Sequence, residues 1–248
     1  MPPVTVGCCG FVLAQAKYFA AFRCVEIDSS FYNLPKLATV EKWRASAPPG
    51  FQFALKAWQV ITHRADSPSY QCTRIDPRDR PHCGSFGYNP TTRWAWDQTI
   101  AVAKALDAKF VLFQCPASFR SSKENVANLR RFFERAKRGK FVIGWEPRGI
   151  WDAKLVADLC RELDLVHVAD PFQNPPATRI PLRYFRLHGL TGTKHRFSDE
   201  ELRELLGFCR EEKTPAYCFF NNASMLTDAR RFAQLVQETS LRTASISS

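Results

Sequence analysis

Long hydrophobic runs are missing from this sequence, and their absence excludes a membrane-spanning helix. No stretch reaches the roughly 18 consecutive apolar residues that such a helix needs. The chain begins with MPPVTVGCCGF, which lacks the basic segment and apolar core of a secretory signal peptide. We therefore expect a cytoplasmic protein with no membrane partner.

Zinc-binding patterns are also missing, although the sequence has nine cysteines. No CxxC pair and no Cys/His pair at zinc spacing occurs, which argues against a structural zinc site. Cys72 and Cys83 flank a polar loop and form the best-placed pair if a disulfide exists. Several others lie in apolar segments, where we expect small buried hydrophobic residues. These are Cys24, Cys115, Cys160, Cys209 and Cys218.

What the sequence does contain is a large apolar fraction and an excess of positive charge. Its 248 residues are 45% hydrophobic and 13% aromatic, enough to form a full core. The net charge of +11 favours polyanionic partners such as nucleic acid or phosphorylated metabolites. Because Lys and Arg are spread along the chain, solvated helix faces explain the charge equally well.

Short apolar runs alternate with helical patterns along the chain. The predicted strands are 4–8, 23–27, 51–56, 109–114, 141–146, 165–169, 182–188 and 215–221. The predicted helices are 17–22, 39–46, 92–107, 125–138, 152–163, 198–211 and 224–238, with a capping box at Ser198 and Glu201. This alternation predicts an α/β fold, a (β/α)8 TIM-barrel-like single domain over residues 1–248.

Two repeats of this barrel depart from the regular pattern. The sixth is irregular, because 170–181 (DPFQNPPATRIP) contains four prolines and cannot form a normal helix. The third carries an insertion after its strand, 64–91, which is rich in Arg, Asp, Pro and Gly. No second domain or low-complexity linker is indicated.

Polar side chains end several of the predicted strands. Because side chains alternate along a strand, the outward apolar residues of 141–146 turn Glu146, and then Arg148, towards the barrel interior. The same argument applied to the other strands predicts a polar set at the C-terminal mouth, where barrel enzymes have their active sites. The set is Glu26, Lys56, Gln114, Glu146, Arg148, Asp170, Arg186, His188 and Asn221. Ion pairs that plug the barrel are the structural alternative.

Several segments resemble the YecE-like proteins, a family catalogued as domain of unknown function 72. They are VEIDSSFYNLP (25–35), KWRASAPPGFQFALKAWQVITH (42–63), FQCPASF (113–119), WEPRGIW (145–151), YFRLHG (184–189) and CFFNN (218–222). The resemblance implies a TIM-barrel-like fold and supplies no reaction. It adds three polar positions to the set above, Tyr32, His63 and Asn222. The usual NSTFY of the family is DSSFY here.

The leading functional hypothesis is a hydrolase acting on a phosphate-containing substrate, including nucleic acid. Catalytic roles are predicted for Glu26, Lys56, Glu146, Asp170 and His188. Substrate binding is predicted for Tyr32, His63, Gln114, Arg148, Arg186, Asn221 and Asn222. Glu146, Asp170 and His188 are candidate ligands for Mg²⁺, Mn²⁺ or Zn²⁺. Lys56, Arg148 and Arg186 suit a phosphate, but they would repel a divalent metal.

Two other hypotheses remain open at this point. One is a metal-free isomerase or lyase of a small anionic, phosphosugar-like substrate, with Lys56 as base or Schiff-base amine and His188 as proton shuttle. The other is a non-catalytic nucleic-acid or nucleotide-binding protein. Its stacking faces would be drawn from Tyr18, Phe31, Tyr32, Trp58, Trp94, Trp96 and Trp151. The loop 188–197 is either a phosphate contact or a flexible loop with His195 exposed to water.

Overall fold

Strands and helices alternate along the chain in the computed structural model, as the apolar runs predict. The model describes residues 2–174, 176, 182–211 and 214–246, with side chains up to Leu241. The strands are β1 (Val4–Cys8), β2 (Cys24–Ile27), β3 (Gln52–Lys56), β4 (Ala108–Gln114), β5 (Val142–Glu146), β6 (Val166–Ala169), β7 (Arg183–Leu187) and β8 (Ala216–Phe220). The helices are α1 (Gln15–Ala21), α2 (Leu37–Ser46), α3 (Pro90–Ala105), α4 (Lys123–Arg135), α5 (Ala153–Glu162), α6 (Asp199–Arg210) and α7 (Met225–Ile246). Every predicted strand is present within one residue of its expected bounds.

Several helices begin where their sequences supply capping groups. The predicted capping box is confirmed at α6, where the Ser198 side chain accepts from the Glu201 N–H and the Glu201 side chain accepts from the Ser198 N–H. Asn89 and Thr92 form a second box before α3. These side chains satisfy backbone N–H groups that the first turn of a helix leaves without partners.

The chain divides into two compact units, and the first comprises Met1–Glu26 and Val166–Ser248. Its strands β6, β7, β8 and β1 pair in parallel in that order. A single parallel bridge joins Cys9 to Glu26 beyond the end of β1. Helix α7 packs against β1, β8 and α6. The prediction of one domain stays a prediction.

The second unit is Ile27–Leu165, and strands β3, β4 and β5 pair in parallel within it. The register places Gln114 opposite Glu146 at the ends of β4 and β5. A buried aromatic cluster forms the core beside β4, with Phe86 and Phe113 in contact with Phe132. Burial of these rings is the main stabilising contribution on this side of β4.

The insertion 64–91 is folded back onto the segment that follows β3. It contains two short 3-10 helices, Pro68–Cys72 and Arg80–His82. The N–H groups of Gly84, Ser85 and Phe86 donate to the carbonyls of residues 60, 62 and 61, respectively. Ser85 and Phe86 have φ angles of 52° and 53°, in the left-handed region that such residues seldom adopt. Three hydrogen bonds and the buried Phe86 ring hold this conformation.

Several sequence predictions can be compared directly with the structure. In the sixth repeat, residues 170–174 and 176 contain no helix; the rest of 170–181 lies outside the described residues. All nine cysteines are free thiols, including Cys72 and Cys83. No helix in the described part of the chain has the length and hydropathy required to cross a membrane.

Candidate functional site

The predicted polar residues are divided between the two units and are described for each unit in turn. In the first unit, Glu26 is fully buried and is held by two side chains from β7. Arg186 donates through Nη2 at 2.8 Å and through Nε at 3.0 Å to Glu26 Oε1, while the Tyr184 hydroxyl donates to Oε2 at 2.6 Å. Burial, followed by the negative charge of Glu26, raises the pKa of Tyr184 well above its usual range. Tyr184 therefore stays protonated and acts as a donor.

Asp170 and His188 lie at the ends of neighbouring strands of the first unit. The Asp170 carboxylate accepts the backbone N–H of Phe172 at 3.2 Å and that of His188 at 3.0 Å, so it connects the segment after β6 to the end of β7. The half-buried His188 ring lies 3.3 Å, Nδ1 to Nδ2, from the side-chain amide of Asn221. Asp170 thus positions the His188 backbone, and its predicted catalytic role stays a prediction.

The Asn222 side chain is buried and holds the loop 188–197. Its side-chain amide donates to the His195 carbonyl at 2.7 Å and to Asp228 at 2.8 Å. Among the residues described, no group donates to its buried Oδ1. His195 is half-buried, with Nε2 3.0 Å from Glu201, so the expectation of a His195 exposed to water is wrong. The loop closes tightly because Gly189, at φ +92°, leaves no room for a Cβ beside His195.

In the second unit, Lys56 at the end of β3 lies between an acidic and an aromatic side chain. Its Nζ is 3.0 Å from Asp28 Oδ1 and 4.0 Å from the centroid of the Phe31 ring. Asp28 and Phe31 begin and end the short 3-10 helix after β2. Sequence analysis did not single out Asp28, although it follows Glu26 by only two positions. The carboxylate and the ring both favour the charged ammonium.

His63 packs edge to face against the same phenylalanine. The ring centroids of Phe31 and His63 are 4.8 Å apart, and His63 Nδ1 lies 2.8 Å from the Thr62 hydroxyl. Burial lowers the pKa of His63 to about 3, with further lowering by the positive charges of Lys56 and Arg148. The imidazole is therefore neutral at neutral pH. When the Thr62 hydroxyl donates to Nδ1, the ring proton lies on Nε2.

Glu146 and Arg148 complete this group at the end of β5. Arg148 Nε donates to Glu146 Oε1 at 2.8 Å; the glutamate is buried and the arginine side chain is 37% exposed. Gly149 follows, and a Cβ there would lie 2.8 Å from the Phe119 carbonyl oxygen, so the loop is pressed against the segment after β4. The close approach fixes the direction in which Arg148 leaves the strand.

The aromatic residues predicted as stacking faces differ in exposure. Tyr32 and Trp94 are exposed. Four others are buried and cannot stack on a ligand, so the stacking prediction is wrong for them: Tyr18, Phe31, Trp58 and Trp96. Aromatic side chains at strand and helix spacing serve the core.

The described residues give little support for a metal site. No group of three or more His, Cys, Asp or Glu side chains within them could hold a metal ion. Asp170, a candidate ligand, already accepts backbone N–H groups on both carboxylate oxygens. We therefore derive no chemical step through a metal.

Comparison with known proteins places the chain in a family. The UPF0759 protein YunF of Bacillus subtilis (strain 168) is 33% identical over 113 residues, which are 46% of this chain and 35% of YunF. The match thus spans about a third of that relative.

Two solved structures share the fold over almost the whole chain. A crystal structure of a DUF72 family protein from Enterococcus faecalis V583 has a TM-score of 0.72 at 18% identity, over 94% of this chain and 95% of that one. A DUF72 family protein from Thermotoga maritima MSB8 has a TM-score of 0.69 at 20% identity, over 95% of this chain and 99% of that one. The predicted TIM-barrel-like α/β fold is confirmed. The model of the family described as Protein of unknown function DUF72 matches residues 14–247, and the chain therefore belongs to this family.

Proposed function

We propose that the second unit binds a phosphate-containing substrate beside Lys56, His63 and Arg148 and hydrolyses its ester bond. The observation that carries the proposal is His63, a buried imidazole that the charges of Lys56 and Arg148 help to keep neutral. Two cations beside a neutral donor form a site in which an anion is stabilised without proton uptake. A phosphate group offers oxygens that these donors can bind and a negative charge that suits the two cations.

Each side chain in this group has a distinct role in the proposed reaction. Arg148 and the Nε2–H of His63 bind non-bridging phosphate oxygens, and Arg148 also orients Glu146. The Glu146 carboxylate accepts a proton from a water molecule, whose oxygen attacks phosphorus. The bond from phosphorus to the ester oxygen breaks, and the Lys56 ammonium gives a proton to the leaving oxygen. Solvent then returns a proton to Lys56 and takes one from Glu146.

Asp28 has a supporting role in this scheme. Its carboxylate lies 3.0 Å from Lys56 Nζ and positions the amine before substrate binds. The Phe31 ring contacts the same amine, with its centroid 4.0 Å from Nζ. An ammonium held in this way can donate a proton to an alkoxide leaving group, because the alkoxide is the stronger base.

Hydrolysis of p-nitrophenyl phosphate and of glycerol 2-phosphate, whose leaving group is an alkoxide, by the purified full chain tests the proposal. Glu146→Gln is expected to lower both rates at least about a hundredfold, the usual contribution of acid–base groups. Lys56→Met is expected to lower the rate with glycerol 2-phosphate by as much and that with p-nitrophenyl phosphate less, because p-nitrophenolate leaves without a proton. Lys104→Met removes an exposed lysine of α3 and is expected to leave the rate unchanged. Circular dichroism of each variant checks that the fold is retained.

Three results would argue against hydrolysis or binding in this group. Rates that survive both substitutions would overturn the proposal, since they would come from other residues or a contaminant. Phosphate binding without ester cleavage, measured by calorimetry, would remove the hydrolase and favour an isomerase or lyase. Failure of inorganic phosphate to bind at all would remove the anion site.

A further inference from the structure

Two exposed aromatic side chains flank a buried tryptophan in the second unit. Tyr32 is 37% exposed and Trp94 is 45% exposed, and they are the two aromatic residues among the large exposed hydrophobic side chains of the described chain. Trp58 connects them, because its Nε1–H donates to the Tyr32 carbonyl at 3.0 Å and its ring centroid lies 5.2 Å from that of Trp94. We call the exposed Tyr32 and Trp94 rings, with the buried Trp58 that joins them, the aromatic shelf.

The aromatic shelf is continuous with the proposed anion site. Phe31 contacts Tyr32 edge to face, with centroids 5.1 Å apart, and the same Phe31 ring carries Lys56 Nζ at 4.0 Å. Together these two distances place the Lys56 ammonium within about 9 Å of the centre of the Tyr32 ring. The separation of phosphate and base within one nucleotide is of this order. A single ligand can therefore reach both features.

From this continuity we infer that the substrate is a nucleotide, whose base stacks on the aromatic shelf while its phosphate lies beside Lys56 and Arg148. The inference rests on the proposed function and names its substrate class. A planar base can cover the exposed faces of aromatic rings through stacking. A sugar phosphate without a base would leave these rings exposed. The charge of Lys56 and the π-faces of the shelf thus match the two ends of a nucleotide.

Binding measurements with three small probes test the inference. Affinities for inorganic phosphate, ribose 5-phosphate and AMP are measured by calorimetry in a Glu146→Gln background, so that no ligand is consumed. AMP is expected to bind at least about tenfold more tightly than ribose 5-phosphate, as stacking of one base predicts. Quenching of tryptophan fluorescence by AMP provides a second readout at the shelf.

Variants of the shelf separate stacking from simple loss of apolar surface. Tyr32→Leu and Trp94→Leu keep an apolar side chain but remove the π-face. Each is expected to remove most of the tenfold preference for AMP and to leave the affinity for ribose 5-phosphate unchanged. Leu37→Ala removes an exposed apolar side chain that is not aromatic, and it is the matched control. A preference for AMP that persists in both leucine variants would overturn the inference.

The probes also distinguish failure of the inference from failure of the proposed function. If ribose 5-phosphate binds as tightly as AMP, the anion site is supported and base stacking on the aromatic shelf is contradicted. If inorganic phosphate, ribose 5-phosphate and AMP all fail to bind, the anion site itself falls and the inference falls with it. A short 5′-phosphorylated oligonucleotide carries the same base and phosphate. If it binds more tightly than AMP, the substrate is the end of a nucleic acid. If it binds more weakly, the substrate is a free nucleotide. Base recognition is supported in both cases.

Discussion

At the residue scale, opposite charges are paired in both units, but the pairs differ in their access to solvent. Glu26 and Arg186 have no exposed side-chain surface, whereas the Asp28 and Arg148 side chains are 27% and 37% exposed in their pairs with Lys56 and Glu146. A ligand anion can exchange with an accessible carboxylate at little cost, because water already screens the charge. A fully buried pair cannot be opened without leaving a charge in an apolar environment. The Glu26–Arg186 pair is therefore best explained as structural.

Loss of one member of this buried pair should destabilise the protein strongly. Glu26→Gln is expected to lower the free energy of unfolding by about 3–5 kcal/mol, since it leaves the Arg186 guanidinium buried without its counter-charge. Urea denaturation followed by circular dichroism measures the change. Glu200→Gln is the control, because the Glu200 side chain is 81% exposed in its pair with Arg203. It should change the free energy of unfolding by no more than about 1 kcal/mol. Equal effects of the two substitutions would show that Glu26 is not the buried anchor described above.

At the element scale, the alternation of apolar residues located the eight strands and, with α7 ending later than the predicted 238, the seven α-helices of the described residues. It did not identify which side chains pair. The alternation of side chains along a strand determines the face on which Lys56 lies. It does not determine the position of its partner in the neighbouring element. For this reason Asp28, in a 3-10 helix after β2, was missed as the partner of Lys56. The folding back of 64–91 was missed as well, because its tie to residues 60–62 is made by backbone groups, which leave no pattern in the side chains.

This backbone tie supports the segment that carries His63, and Gly84 is its most sensitive position. A Cβ at residue 84 would lie 2.5 Å from backbone atoms of His63 and Arg64, and its φ of +90° is strained for any other residue. Gly84→Ala is therefore expected to cost more than about 2 kcal/mol of unfolding free energy. Gly50→Ala, at φ +78° with no atom near the added Cβ, reports the strain without the collision and should cost about 1 kcal/mol. If the two variants unfold at the same urea concentration, the tie at Gly84 contributes nothing beyond backbone strain.

At the scale of the whole molecule, family membership and fold are established over nearly the full chain, while the chemistry depends on a few side chains. The net charge of +11 leaves the partner open, because the basic residues are distributed along the chain. Two of these basic residues, Lys56 and Arg148, are each paired with a carboxylate and act on the neutral His63 in the second unit. The single site expected from the sequence, with polar residues of both units, stays a prediction. The proposed function depends on contacts within the second unit.

Stability of the whole chain should depend on pH through His63. Its pKa is lowered from 6.5 to about 3 by burial and by the charges of Lys56 and Arg148, so between these pH values the unfolded chain binds a proton that the folded chain does not. The contribution of His63 to the free energy of unfolding is therefore fully present above about pH 6.5. It falls as the pH decreases, by at most about 1.4 kcal/mol per pH unit. Between pH 7 and pH 5 the loss from this residue is expected to be about 2 kcal/mol in urea unfolding. His63→Gln cannot titrate and should show a shallower dependence by that amount, since carboxylates contribute equally to both proteins. Parallel pH profiles for the two proteins would mean that His63 titrates normally, and the neutral imidazole on which the anion site depends would be lost.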